Sequence, residues 1–242
     1  FIIQYDGTKY SGWQKQGNTS KTIQGKLEAV LTQLAGEPVE VHGSGRTDAG
    51  VHAYGQVANA HFDTMYSCEQ IRDLMNKYLP QDIAVLEVTK AHYRFHSQLN
   101  AKSKTYCYRI YNGPVRDVFT RNYTCHIEEE LDVAAMRKAA ALLEGTHDFT
   151  SFCGNRRFKK SPVRTITQIC VEQKEKGLEL WFTGDGFLQN MVRIMTGTMV
   201  EVGLGKRPAD SMTEILEAKD RSAAGAMMPA QGLTLVSVAY KS

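Results

Sequence analysis

The glycine-rich run from Gly43 to His52, with the sequence GSGRTDAGVH, constrains this chain more than any other feature. Three glycines within eight residues argue against a regular helix or strand, and they allow positive φ angles and close approach by a backbone or a ligand. The apolar residues Val41, Val51 and Val57 predict that this loop connects two buried strands. We therefore expect the loop to hold one carboxylate, that of Asp48, low in a cleft.

Two simpler interpretations of this loop stay open. Thr47-Asp48-Ala49-Gly50 is also good turn chemistry, because an aspartate can accept a hydrogen bond from the backbone two residues further on. A glycine-rich loop can also bind phosphate, but this run has neither the Gly-Lys-Ser/Thr ending of a P-loop nor the spacing of the dinucleotide fingerprint. Binding of nucleoside triphosphates is therefore not expected.

The net charge limits how a nucleic acid could be bound. With 242 residues, 42% of them hydrophobic, the chain is long enough for one large domain or two lobes. Because the formal charge is only +3, a nucleic-acid partner must be held by a local group of cations. The candidates for contacts with phosphates are Arg156, Arg157, Lys159, Lys160 and Arg164, with Lys102 and Lys104 near a strand start. An ordinary solvated loop is the alternative for such a run.

Cysteine usage favours a reducing compartment. The five cysteines are scattered, with no Cys-x-x-Cys pair and no histidine at the spacing of a zinc site. We therefore predict reduced cytosolic thiols, no metal and a cytoplasmic protein. No apolar run reaches the length of a membrane span and no signal-peptide core is present. Because the chain begins at Phe1 and not at methionine, we expect that a short N-terminal segment precedes it.

Hydrophobic periodicity predicts an α+β chain of two similar halves, residues 1–103 and 104–242. The first half contains a strand at 1–5, a helix capped by Thr22, a strand at 56–62, a helix that stops at Pro80, and a strand at 83–88. Trp13 lies in a polar, turn-rich stretch. We predict that it is exposed and that it faces RNA bases together with two neighbouring amides.

The second half has a similar pattern of predicted strands and helices. A strand from Lys104 precedes a helix that is capped by Asp132 and ends at Gly145. Two strands, at 165–172 and 178–183, are joined by a polar turn and predict a hairpin. The remaining elements are an apolar helix from about Phe187, a shorter helix at 212–218, and a last strand at 233–240.

The apolar helix contains one charged residue between Phe187 and Val200, which is Arg193. A guanidinium keeps its proton, and burying it without a partner costs about 3–5 kcal/mol. A carboxylate or an anionic ligand should therefore meet it, and Asp48 is the obvious candidate. Periodicity alone leaves open that the side chain extends to the helix rim and remains hydrated.

Several separated blocks together resemble the tRNA pseudouridine synthase A (TruA) family. In chain order, the blocks are Tyr5-Asp6-Gly7-Thr8 with Gly12-Trp13-Gln14, the run Gly45 to His52, Lys104-Thr105-Tyr106-Cys107-Tyr108, Phe187 to Gly197, and Gly232-Leu233-Thr234-Leu235. Their order and spacing cover almost the whole chain.

The resemblance implies an α+β fold of two similar halves around a mixed, mainly antiparallel sheet, with helices on one face and the active-site cleft between the halves. It also implies a homodimer. Members of the family convert uridines at positions 38, 39 and 40 of the tRNA anticodon stem-loop to pseudouridine without a metal or an organic cofactor. We therefore expect tRNA as the partner of this chain and no interaction with a membrane.

Roles carry over from the family residue by residue. Asp48 matches the essential aspartate, which acts as nucleophile on ribose C1′ or removes a ribose proton to form a glycal; a neighbouring Arg193 would stabilise its negative charge. Tyr106 matches a tyrosine that stacks on the base and can remove the C5 proton. Leu233 matches an apolar residue against the base, and Arg46 matches an arginine near the flipped nucleotide. For both Tyr106 and Leu233, plain strand core is the alternative.

Two positions depart from the family pattern. Gln98 follows Phe95-His96-Ser97 where many members have arginine, so the role of that cation in RNA or subunit contacts is not carried over. Ser44 stands where alanine is frequent and should leave the loop backbone intact. The alternative function is a catalytically silent tRNA-binding or RNA-chaperone protein of the same fold, although phosphate binding alone has no use for a carboxylate. A hydrolase would need a second acid or a metal, which the loop does not offer.

Overall fold

The computed structural model describes residues 1–155, 157 and 161–241 as two compact units. The first unit comprises Phe1–Lys102 together with the chain from Thr234 onward, and the second comprises Ser103–Leu233. The last strand therefore groups with the N-terminal part of the chain, whereas the sequence suggests a single division after residue 103. Each unit has its own strands, helices and buried apolar side chains.

The first unit contains five strands and two helices. In chain order they are β1 (Ile2–Tyr5), α1 (Ile23–Ala35), β2 (Val41–Gly43), β3 (His52–Ala60), α2 (Cys68–Tyr78), β4 (Ile83–Glu87) and β10 (Leu233–Tyr240). The strand order is β4-β1-β3-β10, and β2 pairs with β3. The pairings of β1 with β3 and β4 are antiparallel, as is that of β2 with β3, whereas β10 runs parallel to β3.

Local sequence signals explain the helix ends in the first unit. Helix α1 begins where the predicted cap, Thr22, accepts a hydrogen bond from Gly25 N, and it ends at Gly36, which has a φ of 75°. Helix α2 has a capping box between Ser67 and Gln70. It ends before Pro80, as predicted. Strand β3 begins at His52, four residues earlier than the predicted strand, so the glycine-rich loop is shorter than expected.

The second unit contains β5 (Ala101–Tyr111), β6 (Cys125–His126), α3 (Val133–Leu143), β7 (Gly145–Asp148), β8 (Val163–Lys174), β9 (Gly177–Gly184), α4 (Met191–Gly203) and α5 (Ser211–Ala218). Its strand order is β5-β9-β8-β7, all antiparallel, and β6 pairs parallel to β5. The α+β class and the mixed, mainly antiparallel sheet that the resemblance implies are therefore confirmed.

Two predictions for the second unit have different outcomes. The hairpin of β8 and β9 is confirmed, with Lys174 paired to Gly177 at the turn. The start of the apolar helix at Phe187 is wrong, because α4 begins at Met191. Asn190 directly before it has a φ of 61°, a left-handed conformation that cannot continue a helix. No helix in the described ranges is long and apolar enough to cross a membrane.

Candidate functional site

The loop that carries Asp48 is the connection between the antiparallel strands β2 and β3. Asp48 is half-buried, and its carbonyl oxygen accepts a hydrogen bond from Val51 N at 3.1 Å, which closes a tight turn. The backbone of these residues therefore forms a turn. Arg46 lies in the same loop and is exposed.

Hydrogen bonds of buried side chains hold the part of this loop that precedes Asp48. Ser44, fully buried, donates its hydroxyl to Gln56 Oε1 at 2.6 Å, and Gln56 Nε2 donates to Gly45 O at 3.0 Å. Thr47 is also buried, and its Oγ1 lies 2.8 Å from Tyr5 OH. The residue directly before Asp48 is thus fixed to the first strand of the unit, which restricts the positions that the carboxylate can take.

The segment after β1 closes over the loop from the other side. Trp13 N donates to Thr47 O at 3.0 Å, and Gly7 N donates to His52 Nδ1 at 3.1 Å. A Cβ on Gly7 would lie 2.0 Å from Val51 O, so only glycine allows the two backbones to approach this closely. We call residues 5–13 the clamp segment. From the sequence, Gly7 is recognised only as part of a family block, and no role is predicted for it.

The expectation that Trp13 faces RNA bases is wrong. Its ring is 2% exposed and packs against Gly43, where a Cβ would come within 2.6 Å of the indole. Tyr5 lies 6.1 Å from it between ring centroids. Burial raises the pKa of Tyr5 to about 12, so its hydroxyl stays protonated and can bond to Thr47 at neutral pH. The aromatic residues here support the loop from beneath and do not contact a partner.

In the second unit, Tyr106 lies on β5 and is 8% exposed. Its ring meets Phe187 edge-on, at 5.1 Å between centroids and an interplanar angle of 81°. Aromatic pairs favour this T-shaped arrangement. Phe187 was predicted to begin a helix. It lies instead in the loop before α4 and is the aromatic neighbour of Tyr106.

Arg193 is the third residue of α4 and is half-buried, while its neighbours on this helix are buried. Its Nε donates to Met228 O at 2.7 Å, and Nη1 donates to Asn190 Oδ1 at 3.1 Å. Asn190 therefore both ends the preceding loop and orients the guanidinium. These two bonds hold the side chain against the protein at the first turn of α4.

The chain from Met228 to Leu233 joins these residues within the second unit. Tyr108 OH donates to Pro229 O at 2.8 Å, next to the carbonyl that Arg193 binds. Leu233 follows this segment and is 6% exposed at the start of β10. Burial raises the pKa of the Tyr108 hydroxyl, which makes Tyr108 a permanent hydrogen-bond donor here. The unit thus brings Arg193 and the segment leading to Leu233 together.

The predicted phosphate contacts are only partly described. Arg157 is exposed, and its backbone N donates to Asn155 Oδ1 at 2.9 Å. Arg156, Lys159 and Lys160 lie outside the described residues. All five cysteines are free. In the described ranges, no group of three His, Cys, Asp or Glu side chains could hold a metal ion.

Comparison with known proteins gives a consistent result over the whole chain. The family model described as tRNA pseudouridine synthase matches residues 1–100 and 139–241. A protein named tRNA pseudouridine synthase A from Bacillus sp. (strain KSM-64) is 47% identical over 239 residues, covering 99% of this chain and 98% of that protein. A protein of the same name from Geobacillus sp. (strain WCH70) is 48% identical over 241 residues, covering 98% of this chain and 96% of the relative.

Among solved structures, a chain from a crystal structure of a Cbf5-Nop10-Gar1 complex is similar with a TM-score of 0.39 and 12% identity. The match covers 98% of this chain and 49% of that one. A likeness at this level does not bear on function.

Proposed function

Since this chain belongs to the tRNA pseudouridine synthase family and is therefore an enzyme that isomerises uridine in tRNA, we propose that it acts on positions 38, 39 and 40 of the anticodon stem-loop with Asp48 as the essential carboxylate. The observation that carries the role of Asp48 is its loop. Hydrogen bonds of Ser44, Gln56 and Thr47 hold the chain before Asp48, and the bond from Gly7 N to His52 Nδ1 holds the chain after it. Such preorganisation favours a group that must meet one atom of a substrate.

The reaction breaks the N1–C1′ bond of uridine, turns the uracil, and forms a C5–C1′ bond, with no net gain or loss of atoms. In one route the Asp48 carboxylate adds to C1′ as uracil leaves with the bonding electrons, and C5 of the turned base then displaces it. In the other route Asp48 removes a ribose proton to give a glycal and later returns it. Either route ends when C5 loses its proton and N1 gains one.

We assign the remaining predicted residues to the same reaction. Tyr106 stacks on the target base and receives the C5 proton, and its edge-on contact with Phe187 supports this role because it fixes the plane of the ring. Leu233 packs against the base, and Arg46 occupies the space of the extruded nucleotide. Arg157 contacts phosphates together with Arg156, Lys159 and Lys160. We propose a cytoplasmic location, in line with the five free cysteines, and a homodimer, which rests on the family resemblance alone.

The site preference is tested with unmodified transcripts of a tRNA that has uridine at positions 38, 39 and 40. Purified protein is incubated with the transcript, and pseudouridines are mapped by carbodiimide modification and primer extension. We expect stops at these three positions and none in a transcript with cytidine there. Pseudouridine formed only at other positions would contradict the proposed substrate.

The pairing of Arg193 with Asp48 stays a prediction. We expect Arg193→Met to slow single-turnover isomerisation by about 100-fold, just below the effect of the ~3–5 kcal/mol that unpairing a fully buried charge costs, because Arg193 is half-buried. Arg109→Met is the matched control. Arg109 lies on the face of β5 opposite to Tyr106, and it is paired with Glu179 at 2.9 Å. Because Asp48→Asn is expected to be inactive, the double-mutant cycle with that variant is measured on the free energy of unfolding. If the two losses in the free energy of unfolding simply add, the pairing is rejected.

A further inference from the structure

The middle of the chain has an unusual charge distribution. Between Glu87 and Asp117 there is no acidic residue, while the same stretch carries the cations Lys90, Arg94, Lys102, Lys104, Arg109 and Arg116. Arg109 is neutralised by Glu179. Lys104 differs from the others because it is half-buried on β5, in register with Gly184. Burial of its ammonium group lowers the pKa of Lys104, so its position costs free energy.

A second cation approaches the same part of the unit from β8. A Cβ on Gly186 would lie 3.4 Å from Arg164 Nε, so this guanidinium passes directly over the loop after β9. The loop is tied to β8 by two hydrogen bonds, from Thr165 N to Asp185 Oδ1 and from Asp185 N to Thr165 O, both 3.0 Å. Arg164 and Lys104 therefore flank residues 184–186, and the positive charge of Arg164 further lowers the pKa of Lys104.

Two like charges at this place call for an anion. In the part of the chain that the structure describes, neither Lys104 nor Arg164 forms an ion pair, and Arg164 Nη1 donates only to the carbonyls of Ser161 and Val163. Asp185 is exposed, and one oxygen of its carboxylate accepts Thr165 N. Keeping such a pair costs stability, which binding of a phosphate would offset.

The position of the pair indicates which phosphate it binds. Lys104 and Tyr106 point to the same face of β5, and two residues of a strand span about 7 Å. This is close to the distance between a base and the phosphate of the same nucleotide. We propose that Lys104 and Arg164 form a binding site for a backbone phosphate next to the nucleotide whose base lies at Tyr106 and Phe187. This inference rests on the proposed function.

The test combines a change in the protein with a change in the RNA. Stem-loop RNAs carry a neutral methylphosphonate either 5′ or 3′ of the target uridine, or three nucleotides away as a control. We expect one flanking substitution to weaken binding to the wild-type protein about tenfold, as for a lost charged hydrogen bond. The variant Lys104→Met should lose less affinity than the wild type on this substitution, because one of the two cations that bind the phosphate is already gone.

The control variant is Lys138→Met, which removes an exposed cation from α3 in the same unit and should keep the full sensitivity. Arg164→Gln should behave as Lys104→Met does. Equal further losses in wild type and Lys104→Met, or no effect of either flanking substitution on the wild type, would overturn the inference. Pseudouridine formation on unmodified RNA is measured in parallel, so failure of the proposed function appears separately, as absence of product from the wild type.

Discussion

Two loops of this molecule connect neighbouring strands and are built in opposite ways. The loop between β2 and β3 holds Asp48 and has buried polar residues, Ser44 and Thr47, bonded to the strands around it. The connection between β5 and β6 instead exposes its apolar residues, with Phe119 at 88% and Val115 at 71%. The loop that carries Asp48, the proposed catalytic residue, is thus fixed by glycines and buried hydrogen bonds, whereas the connection between β5 and β6 presents apolar side chains to solvent.

The largest effect is expected from the closest backbone contact in the clamp segment. Gly7→Ala places a Cβ 2.0 Å from Val51 O, and neither backbone can move without breaking the bond from Gly7 N to His52. We expect a loss of about 3 kcal/mol or more in the free energy of unfolding. The matched control is Gly17→Ala, which meets no atom within 4 Å and should change stability by less than about 0.5 kcal/mol. Urea unfolding measures both; equal midpoints would show that the clamp segment is not tightly fitted.

A smaller effect is expected from the bond beneath the loop. Thr47→Val keeps the shape of the side chain but leaves Tyr5 OH, which is buried, without this partner. We expect a loss of about 1–3 kcal/mol. The double variant Tyr5→Phe with Thr47→Val should recover much of it, because both polar groups are then gone. Additive losses in thermal or urea unfolding would contradict the role of this bond.

The smallest effect is expected from the exposed loop. Phe119→Ser removes an 88%-exposed side chain, so the free energy of unfolding should change by less than about 0.5 kcal/mol and single-turnover isomerisation should be unchanged. Chemical denaturation and a rate measurement check both. A clear loss of stability that depends on protein concentration would show that another chain packs on this loop, and the comparison between the two loops would then fail.

Local patterns were enough to predict the elements whose limits depend on neighbouring residues. Thr22 and Asp132 cap their helices as predicted, and the hairpin of β8 and β9 follows from alternation and a polar turn. The start of α4 was missed because a left-handed conformation at Asn190 is not encoded by apolar spacing. Periodicity also gave no indication that β10 would pair with β3, which is nearly two hundred residues away in the chain.

Sequence patterns pointed only to the residues that we propose for the reaction. Asp48 and Arg193 stand out because a carboxylate in a glycine-rich run, or a cation in an apolar helix, is unusual chemistry for its surroundings, and Tyr106 is identified through the family resemblance alone. Their supports were not predictable, since Thr47 and Tyr5 are 42 residues apart and their contact exists only in the folded chain. The burial of Trp13 was not predictable for the same reason, because the contacts that cover its ring form only in the folded chain.

The most direct measurement is tritium release from tRNA labelled at C5 of uridine by wild type and Asp48→Asn, with binding of the same tRNA measured for both. The substitution keeps size and removes the negative charge, so the backbone bonds of the loop should remain. We predict no release above background by Asp48→Asn and a dissociation constant within about threefold of wild type, because phosphate contacts supply most of the affinity. Tritium release at the wild-type rate would contradict the assignment of Asp48 as the carboxylate that starts the reaction.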